Sequence, residues 1–185
     1  SLALVATFPQ LEYPRDWPSS VRIVGPLLTD IPAPEVELPE GNDPLVLVAP
    51  STSQDPDCKL LRASLEGLAT APVRVIAALN GHQPAEPLPQ TRNSRVYDWL
   101  SYGQAMKAAD LVICHGGHGT VVRALSDGVP VLVSPAGGDM AENGARVSWA
   151  GCGLMLPRHL MGPRRLRAAA LSALDDPDMR SKAEE

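Results

Sequence analysis

The chain has 185 residues, of which 44% are hydrophobic and 20% are charged, and its formal net charge is -5. This composition is typical of one globular domain with a hydrophobic core. The negative charge argues against nucleic acid or an anionic membrane surface as the main partner, and no apolar run approaches the ~20 residues of a membrane span.

The first predicted unit, residues 1–42, is interpreted as the end of an N-terminal domain followed by an interdomain linker. Short strands are predicted at Leu2–Thr7 and Val21–Val24, and the prolines between them exclude a long helix. Neither strand has an evident partner strand in this sequence. The stretch Pro26–Asn42 is rich in proline and acidic residues, which predicts a semi-rigid linker.

The second predicted unit, residues 43–185, alternates strands and helices. Continuous apolar runs predict buried strands, and apolar residues at helical spacing predict helices. The predicted strands are Leu45–Ala49, Val73–Leu79, Arg95–Tyr97, Leu111–Cys114 and Pro130–Val133. The predicted helices are Lys59–Ala69, Tyr102–Ala109, Val121–Asp127, Met140–Ala150 and Pro163–Leu174. This order predicts an α/β, Rossmann-like fold, in which a parallel sheet carries helices on both faces.

In such folds, ligands bind at the loops that follow the carboxyl ends of the strands. The most informative loop is residues 114–120, Cys-His-Gly-Gly-His-Gly-Thr, which follows a buried strand and opens a helix. Its glycines let a ligand approach the backbone, and free N–H groups at a helix start favour a diphosphate. Thr120 is expected to cap the helix or to donate its hydroxyl. The loop alone leaves two interpretations open, a phosphate site or a tight turn without a ligand.

Further residues agree with a known family in both order and spacing. In chain order they are Trp99-Leu100, His115-Gly116-Gly117-x-Gly119-Thr120, Gly128-Val129-Pro130, Asp139, Asn143 and Gly151-x-Gly153. This pattern resembles the donor-binding signature of UDP-glycosyltransferase-like enzymes of bacterial natural-product type, which have the GT-B fold. The resemblance implies the C-terminal, nucleotide-sugar-binding half of a two-domain glycosyltransferase.

The resemblance also implies a role for each matching residue. For the base, the implied residues are Trp99 and Leu100. For the sugar and the phosphate or ribose, they are Asp139 and Asn143. For the diphosphate, they are Thr52 or Ser53, His115, Gly116, Gly117, Gly119 and Thr120. Structural alternatives exist, because Trp99 could cover a core edge and Asp139 or Asn143 could cap a helix. His118 is interpreted as a surface residue. No metal and no cofactor is expected, since the helix terminus and His115 take the place of a metal.

Two departures from the family pattern bear on the donor. Arg123 stands where the family often has a ribose-binding Glu, and Met140 follows Asp139 where the family has Gln. Fewer groups that bind hydroxyls suit a donor with fewer hydroxyls. Our hypothesis is therefore a dTDP-linked deoxysugar rather than UDP-glucose.

The predicted function is that of the donor-binding domain of an inverting glycosyltransferase, which transfers a sugar from a dTDP- or UDP-linked donor to a small-molecule acceptor. The resemblance places the acceptor site and the general base in an N-terminal domain, so no catalytic residue is predicted here and the chain alone is expected to be inactive. The alternatives are a non-catalytic nucleotide-sugar-binding subunit of a two-polypeptide transferase and a GT-B sugar-nucleotide epimerase. The three cysteines are interpreted as buried free thiols, as expected for a cytoplasmic protein.

Overall fold

The computed structural model describes residues 1–29 and 37–185. The predicted linker, Pro26–Asn42, therefore lies partly outside the described residues. The predicted boundary near residue 42 stays a prediction.

The N-terminal segment forms a small sheet of its own. Strand β1 (Ala3–Val5) pairs in parallel with β2 (Val21–Ile23), and a 3-10 helix, Pro9–Leu11, lies in the connection between them. The expectation that these strands lack a partner in this sequence was wrong, because the proline-rich connection is long enough to bring them side by side. The segment also contacts the main domain, since Glu12 forms an ion pair with Arg146 and the Tyr13 ring meets the Trp149 ring edge-on at 5.2 Å.

The main domain is a six-stranded sheet in which every neighbouring pair is parallel, with the spatial order β5-β4-β3-β6-β7-β8. The strands are β3 (Leu45–Ala49), β4 (Arg74–Ala78), β5 (Ser94–Tyr97), β6 (Leu111–Cys114), β7 (Val131–Val133) and β8 (Gly153–Met155). The helices are α1 (Lys59–Leu68), α2 (Tyr102–Ala108), α3 (His118–Ser126), α4 (Met140–Ala150), α5 (Pro163–Leu174) and α6 (Pro177–Glu184).

Both faces of this sheet are buried, because successive side chains of each strand enter two different apolar layers. One layer joins Leu45 and Leu47 of β3 to helices α2, α3 and α4. The other joins Val46 and Val48 to helices α1 and α5. A fully buried leucine contributes about 1.5–3 kcal/mol, and α1 alone buries four, Leu60, Leu61, Leu65 and Leu68. The predicted Rossmann-like fold is confirmed.

Several element boundaries differ from the prediction. Helix α3 begins at His118 rather than Val121, because the Gly117 carbonyl already accepts the N–H groups of Thr120 and Val121. Gly117 therefore occupies the N-cap position, so Thr120 does not cap this helix. The other expectation for Thr120, that it donates its hydroxyl, stays a prediction. Strand β8 and helix α6 were not predicted.

The three cysteines Cys58, Cys114 and Cys152 are buried and free, which confirms that interpretation. Burial raises the pKa of Cys114 to about 12 and that of Cys152 to about 11. These two thiols are therefore protonated and unreactive near neutral pH. Within residues 1–29 and 37–185, no helix is long and apolar enough to cross a membrane.

Candidate functional site

The candidate site is the crevice where the strand order reverses. The chain runs outward from β3 to β4 and β5, then returns to place β6 on the other side of β3. This is the dinucleotide-binding strand order 3-2-1-4-5-6, in which ligands bind beyond the carboxyl ends of the two central strands. Ala49 at the end of β3 pairs with Cys114 at the end of β6. The loops that follow these two residues therefore flank the crevice.

His115 lies buried at the base of this crevice, with 2% of its surface exposed. Its Nδ1 lies 2.7 Å from the carbonyl oxygen of Ser134, and its Nε2 lies 3.1 Å from Oδ2 of Asp55. Both ring nitrogens therefore have partners within the protein. The predicted contact between His115 and a diphosphate stays a prediction, and a direct hydrogen bond from the ring would require one of these two bonds to open.

Asp55 was not singled out by the sequence, although it occupies the loop between β3 and α1. It is buried, with 1% exposed, and its Oδ2 also accepts the N–H of Leu60 at 3.0 Å. Burial raises the pKa of this carboxyl, but hydrogen bonds from His115, Leu60 and Lys59 outweigh that effect and bring it to about 2. Asp55 is therefore a carboxylate at any physiological pH.

Helix α4 holds the glycine loop from the other side. The side-chain amide of Asn143 donates to the Gly116 carbonyl oxygen at 2.8 Å, and also to Oδ2 of Asp139 at 3.4 Å. Asp139 occupies the N-cap position of α4, but its side chain caps no backbone N–H there. Asp139 is exposed at this edge of the sheet. The structure thus brings both residues to the predicted site and gives Asn143 an anchoring contact.

The first turn of α3 offers backbone donors at the same edge. The first N–H groups of an α-helix have no acceptor within the helix. The N–H of Thr120 is already bonded to the Gly117 carbonyl oxygen at 3.0 Å, whereas those of His118 and Gly119 come before the first helical acceptor. Together with the helix dipole, these donors favour an anion at this point.

Trp99 lies at the outer end of the edge, after β5. Its side chain is 56% exposed, and the ring lies against Gly81, where an added Cβ would sit 3.5 Å from Cζ2. The alternative that Trp99 covers a core edge does not account for this exposure. Leu100 is instead buried in the core, with 6% exposed, so its side chain does not line the crevice.

The loops after β3 and β4 are tied together by side chains to which the sequence assigned no role. The His82 ring lies 2.6 Å from the Ser51 carbonyl oxygen, and the Asn80 amide donates to the Pro50 carbonyl oxygen at 2.7 Å. The predicted contacts Thr52 and Ser53 lie exposed on this braced loop. The signal that could have identified Asn80 and His82 is their position just after a buried parallel strand, whereas Asp55 lies six residues beyond the end of β3.

Two other predicted positions have protein partners. The Arg123 side chain is 14% exposed, and its Nε lies 4.0 Å from Oδ2 of Asp127. The exposed His118 ring lies 2.8 Å from the Ala6 carbonyl oxygen in the N-terminal segment.

A separate cavity of about 340 Å³ lies away from this edge. Its lining includes Phe8, Leu11, Leu125 and Trp149. Helices of a parallel α/β sheet run against the strands, so the C-terminal ends of α3 and α4 that border this cavity lie toward the amino edge. The crevice, rather than this cavity, therefore occupies the position where such folds bind ligands.

Comparison with protein families and curated proteins gives concordant matches. Residues 63–185 match the family described as "Erythromycin biosynthesis protein CIII-like, C-terminal domain". The 4'-demethylrebeccamycin synthase of Lentzea aerocolonigenes is 34% identical over 189 residues, covering 98% of this chain and 44% of the relative. The chain thus spans less than half the length of this relative.

Solved structures share the fold. The glycotransferase of kitacinnamycin superposes with a TM-score of 0.81 at 24% identity, covering 98% of this chain and 48% of that one. The glycosyltransferase VinC, solved in complex with dTDP, superposes with a TM-score of 0.75 at 23% identity, covering 99% of this chain and 46% of that one.

Proposed function

This chain belongs to the family of erythromycin biosynthesis protein CIII-like C-terminal domains, and on that premise we propose that it binds the nucleoside-diphosphate end of a sugar donor at the crevice between β3 and β6. The observation that carries the proposal is that the predicted base, diphosphate and sugar contacts from four separate loops share one edge of the sheet. Trp99, His115 and Asp139 mark three of these loops.

The spacing of these groups suits an extended nucleotide. Trp99 follows β5 and α3 follows β6, and these two strands are three positions apart in the sheet. With about 4.8 Å between neighbouring strands, the ends of these two strands are ~14 Å apart. The Trp99 ring shortens this gap, because it lies against Gly81 in the loop after β4. The exposed Trp99 ring supplies an aromatic face for a planar base. The first turn of α3 supplies N–H donors for the diphosphate.

Donor binding at this place would also assist the reaction. When the bond between the sugar and the diphosphate breaks, negative charge grows on the leaving diphosphate. Donors already aimed at that position stabilise the charge without rearranging, which lowers the barrier. Inversion at the sugar carbon further requires a base that deprotonates the acceptor hydroxyl. Because the relatives are more than twice as long as this chain, we place that base and the acceptor site in a second domain.

The preferred donor in this proposal is a dTDP-linked deoxysugar. Arg123 and Met140 stand where the resembling family has residues that contact hydroxyl groups of the donor. The Arg123 guanidinium forms an ion pair with Asp127. The VinC structure, solved with dTDP, supports thymine as a base accepted by this fold.

Isothermal titration calorimetry of the chain with dTDP and with UDP tests the proposal. We expect dTDP to bind more tightly than UDP, and Trp99→Ala to weaken dTDP binding about tenfold, since stacking on an aromatic ring contributes about 1–3 kcal/mol per base. Trp149→Ala is the matched control, because Trp149 is also half-exposed, at 50%, but lies on α4 away from the crevice. Equal losses in both variants, or no binding of either nucleotide, would contradict the proposal.

A further inference from the structure

We propose that Asp55 is a positioning residue, which fixes the ring of His115 and thereby the backbone of the glycine loop that opens α3. The inference rests on the proposed function, because it names a residue that shapes the diphosphate position without touching the ligand.

The first support is that both partners of the His115 ring are obligatory acceptors. The Ser134 carbonyl oxygen has no proton to donate, and Asp55 is a carboxylate bonded to the Leu60 N–H. The Nδ1 and Nε2 atoms of the ring lie 2.7 Å and 3.1 Å from these two oxygens. Because a carboxylate can only accept, the hydrogen bond to Asp55 requires a proton on Nε2. The ring is therefore held between two acceptors that lie on different loops.

The second support is burial. Asp55 and His115 are 1% and 2% exposed, so neither side chain is open to bulk solvent. A buried carboxylate is costly unless it is hydrogen-bonded, and the His115 ring provides one of the hydrogen bonds of Asp55. The pair is therefore a mutual requirement, because removing one partner leaves the other buried without compensation. The neighbouring Cys58 thiol does not compete as an anion, since burial and the charge of Asp55 raise its pKa.

The third support is the place of the bond in the fold. Asp55 is held to the start of α1 through Leu60, and His115 is held to the end of β7 through Ser134. The bond between them crosses the point where the strand order reverses, from the β3 loop to the β6 loop. It ties together the two loops that flank the proposed diphosphate. When the His115 ring is fixed, the backbone of Gly116 and Gly117 follows a single path. This path determines where the first turn of α3 begins.

The ring state is measured directly by nitrogen-15 NMR of the histidines in the chain, at neutral pH and without nucleotide. We expect Nε2 of His115 to carry the proton that it donates to Asp55, and Asp55→Asn to shift the Nε2 resonance. An Nε2 without a proton in the parent chain would overturn the inference. This measurement needs no ligand and no variant, so it decides the pairing even if the proposed function fails or Asp55→Asn does not fold.

A double-variant cycle on dTDP affinity tests the positioning role. We expect Asp55→Asn to weaken binding on the order of tenfold, which is the lower end of the loss seen when a partner of a metal-binding histidine is removed. The double variant with His115→Ala should then bind no more weakly than His115→Ala alone, since Asp55 acts through that ring. Asp57→Asn, in the same loop but 69% exposed at its side chain, is the control and should bind like the parent. The positioning role would be overturned if the losses of dTDP affinity in Asp55→Asn and His115→Ala were additive in the double variant. It would also be overturned if Asp55→Asn bound dTDP like the parent chain.

Discussion

Gly116 lies at the tightest point of the loop between β6 and α3. Its φ is +86°, a left-handed conformation that residues with a Cβ rarely adopt. A Cβ added there would lie 2.6 Å from Cγ1 of Val133 and 2.9 Å from the carbonyl oxygen of Met140. The loop can therefore pass between β7 and α4 only with glycine at this position.

We expect Gly116→Ala to lower the free energy of unfolding by about 1–3 kcal/mol, from backbone strain together with overpacking. Gly117→Ala is the control, because Gly117 has a φ of -57° and open space where its Cβ would be. Urea denaturation of both variants checks the expectation. Equal losses of stability would show that the loop is not constrained in this way.

At the same scale, the sequence identified His115 but not the groups that bind it. Asp55 lies 60 positions earlier, and a contact of that separation exists only once β3 and β6 are neighbours. A motif consists of residues that are close in sequence. It can therefore identify a histidine in a loop, but it cannot show whether the histidine ring faces a ligand or a carboxylate. The burial of the Leu100 side chain was not predicted for a similar reason. The resemblance assigns Leu100 to a position near the base, but it does not say which way the side chain points.

At the scale of elements, the start of α3 determines which N–H groups face the crevice. A proline at the first helical position removes one N–H and is compatible with the helix. His118 is the first residue of α3. The preceding residue, Gly117, has a ψ of 133°, which is the extended conformation that a residue before proline prefers. His118→Pro can therefore delete a backbone donor without disturbing the helix.

We expect His118→Pro to bind dTDP about tenfold more weakly than His118→Ala, since a hydrogen bond to a charged group contributes about 1.5–3 kcal/mol. Both variants lose the ring and its bond to Ala6, so the comparison isolates the N–H. Calorimetry measures both affinities. If the two variants bind equally, the diphosphate does not lie on this donor.

Elements with a clear apolar pattern were predicted well, and elements without one were missed. Strands β3 and β6 and helices α4 and α5 have the predicted bounds, because continuous burial and helical spacing leave a clear pattern in the sequence. Strand β8 has three residues and begins with a glycine, so only its pairing with β7 defines it. Helix α6 is mostly polar and buries only Met179 and Ala183, which leaves little periodic signal.

At the scale of the whole molecule, the order of the six strands places the candidate site. Alternating strands and helices predicted a parallel sheet, but not which strands would be neighbours. The observed order puts β3 and β6 at the centre and gathers the loops after β3, β4, β5, β6 and β7 along one edge. The cavity beside Phe8 and Trp149 borders the opposite ends of α3 and α4, so the two places can be told apart by experiment.

Amide hydrogen exchange of the chain with and without dTDP tests the central claim most directly, since it locates the nucleotide without any substitution. We predict slower exchange in residues 115–121, with smaller effects in residues 51–55, 80–82 and 99–101, and no change around Leu125, Trp149 and α6. Protection confined to the cavity beside Phe8 and Trp149, or no protection at saturating dTDP, would contradict the assignment of this domain as the donor-binding part of a glycosyltransferase.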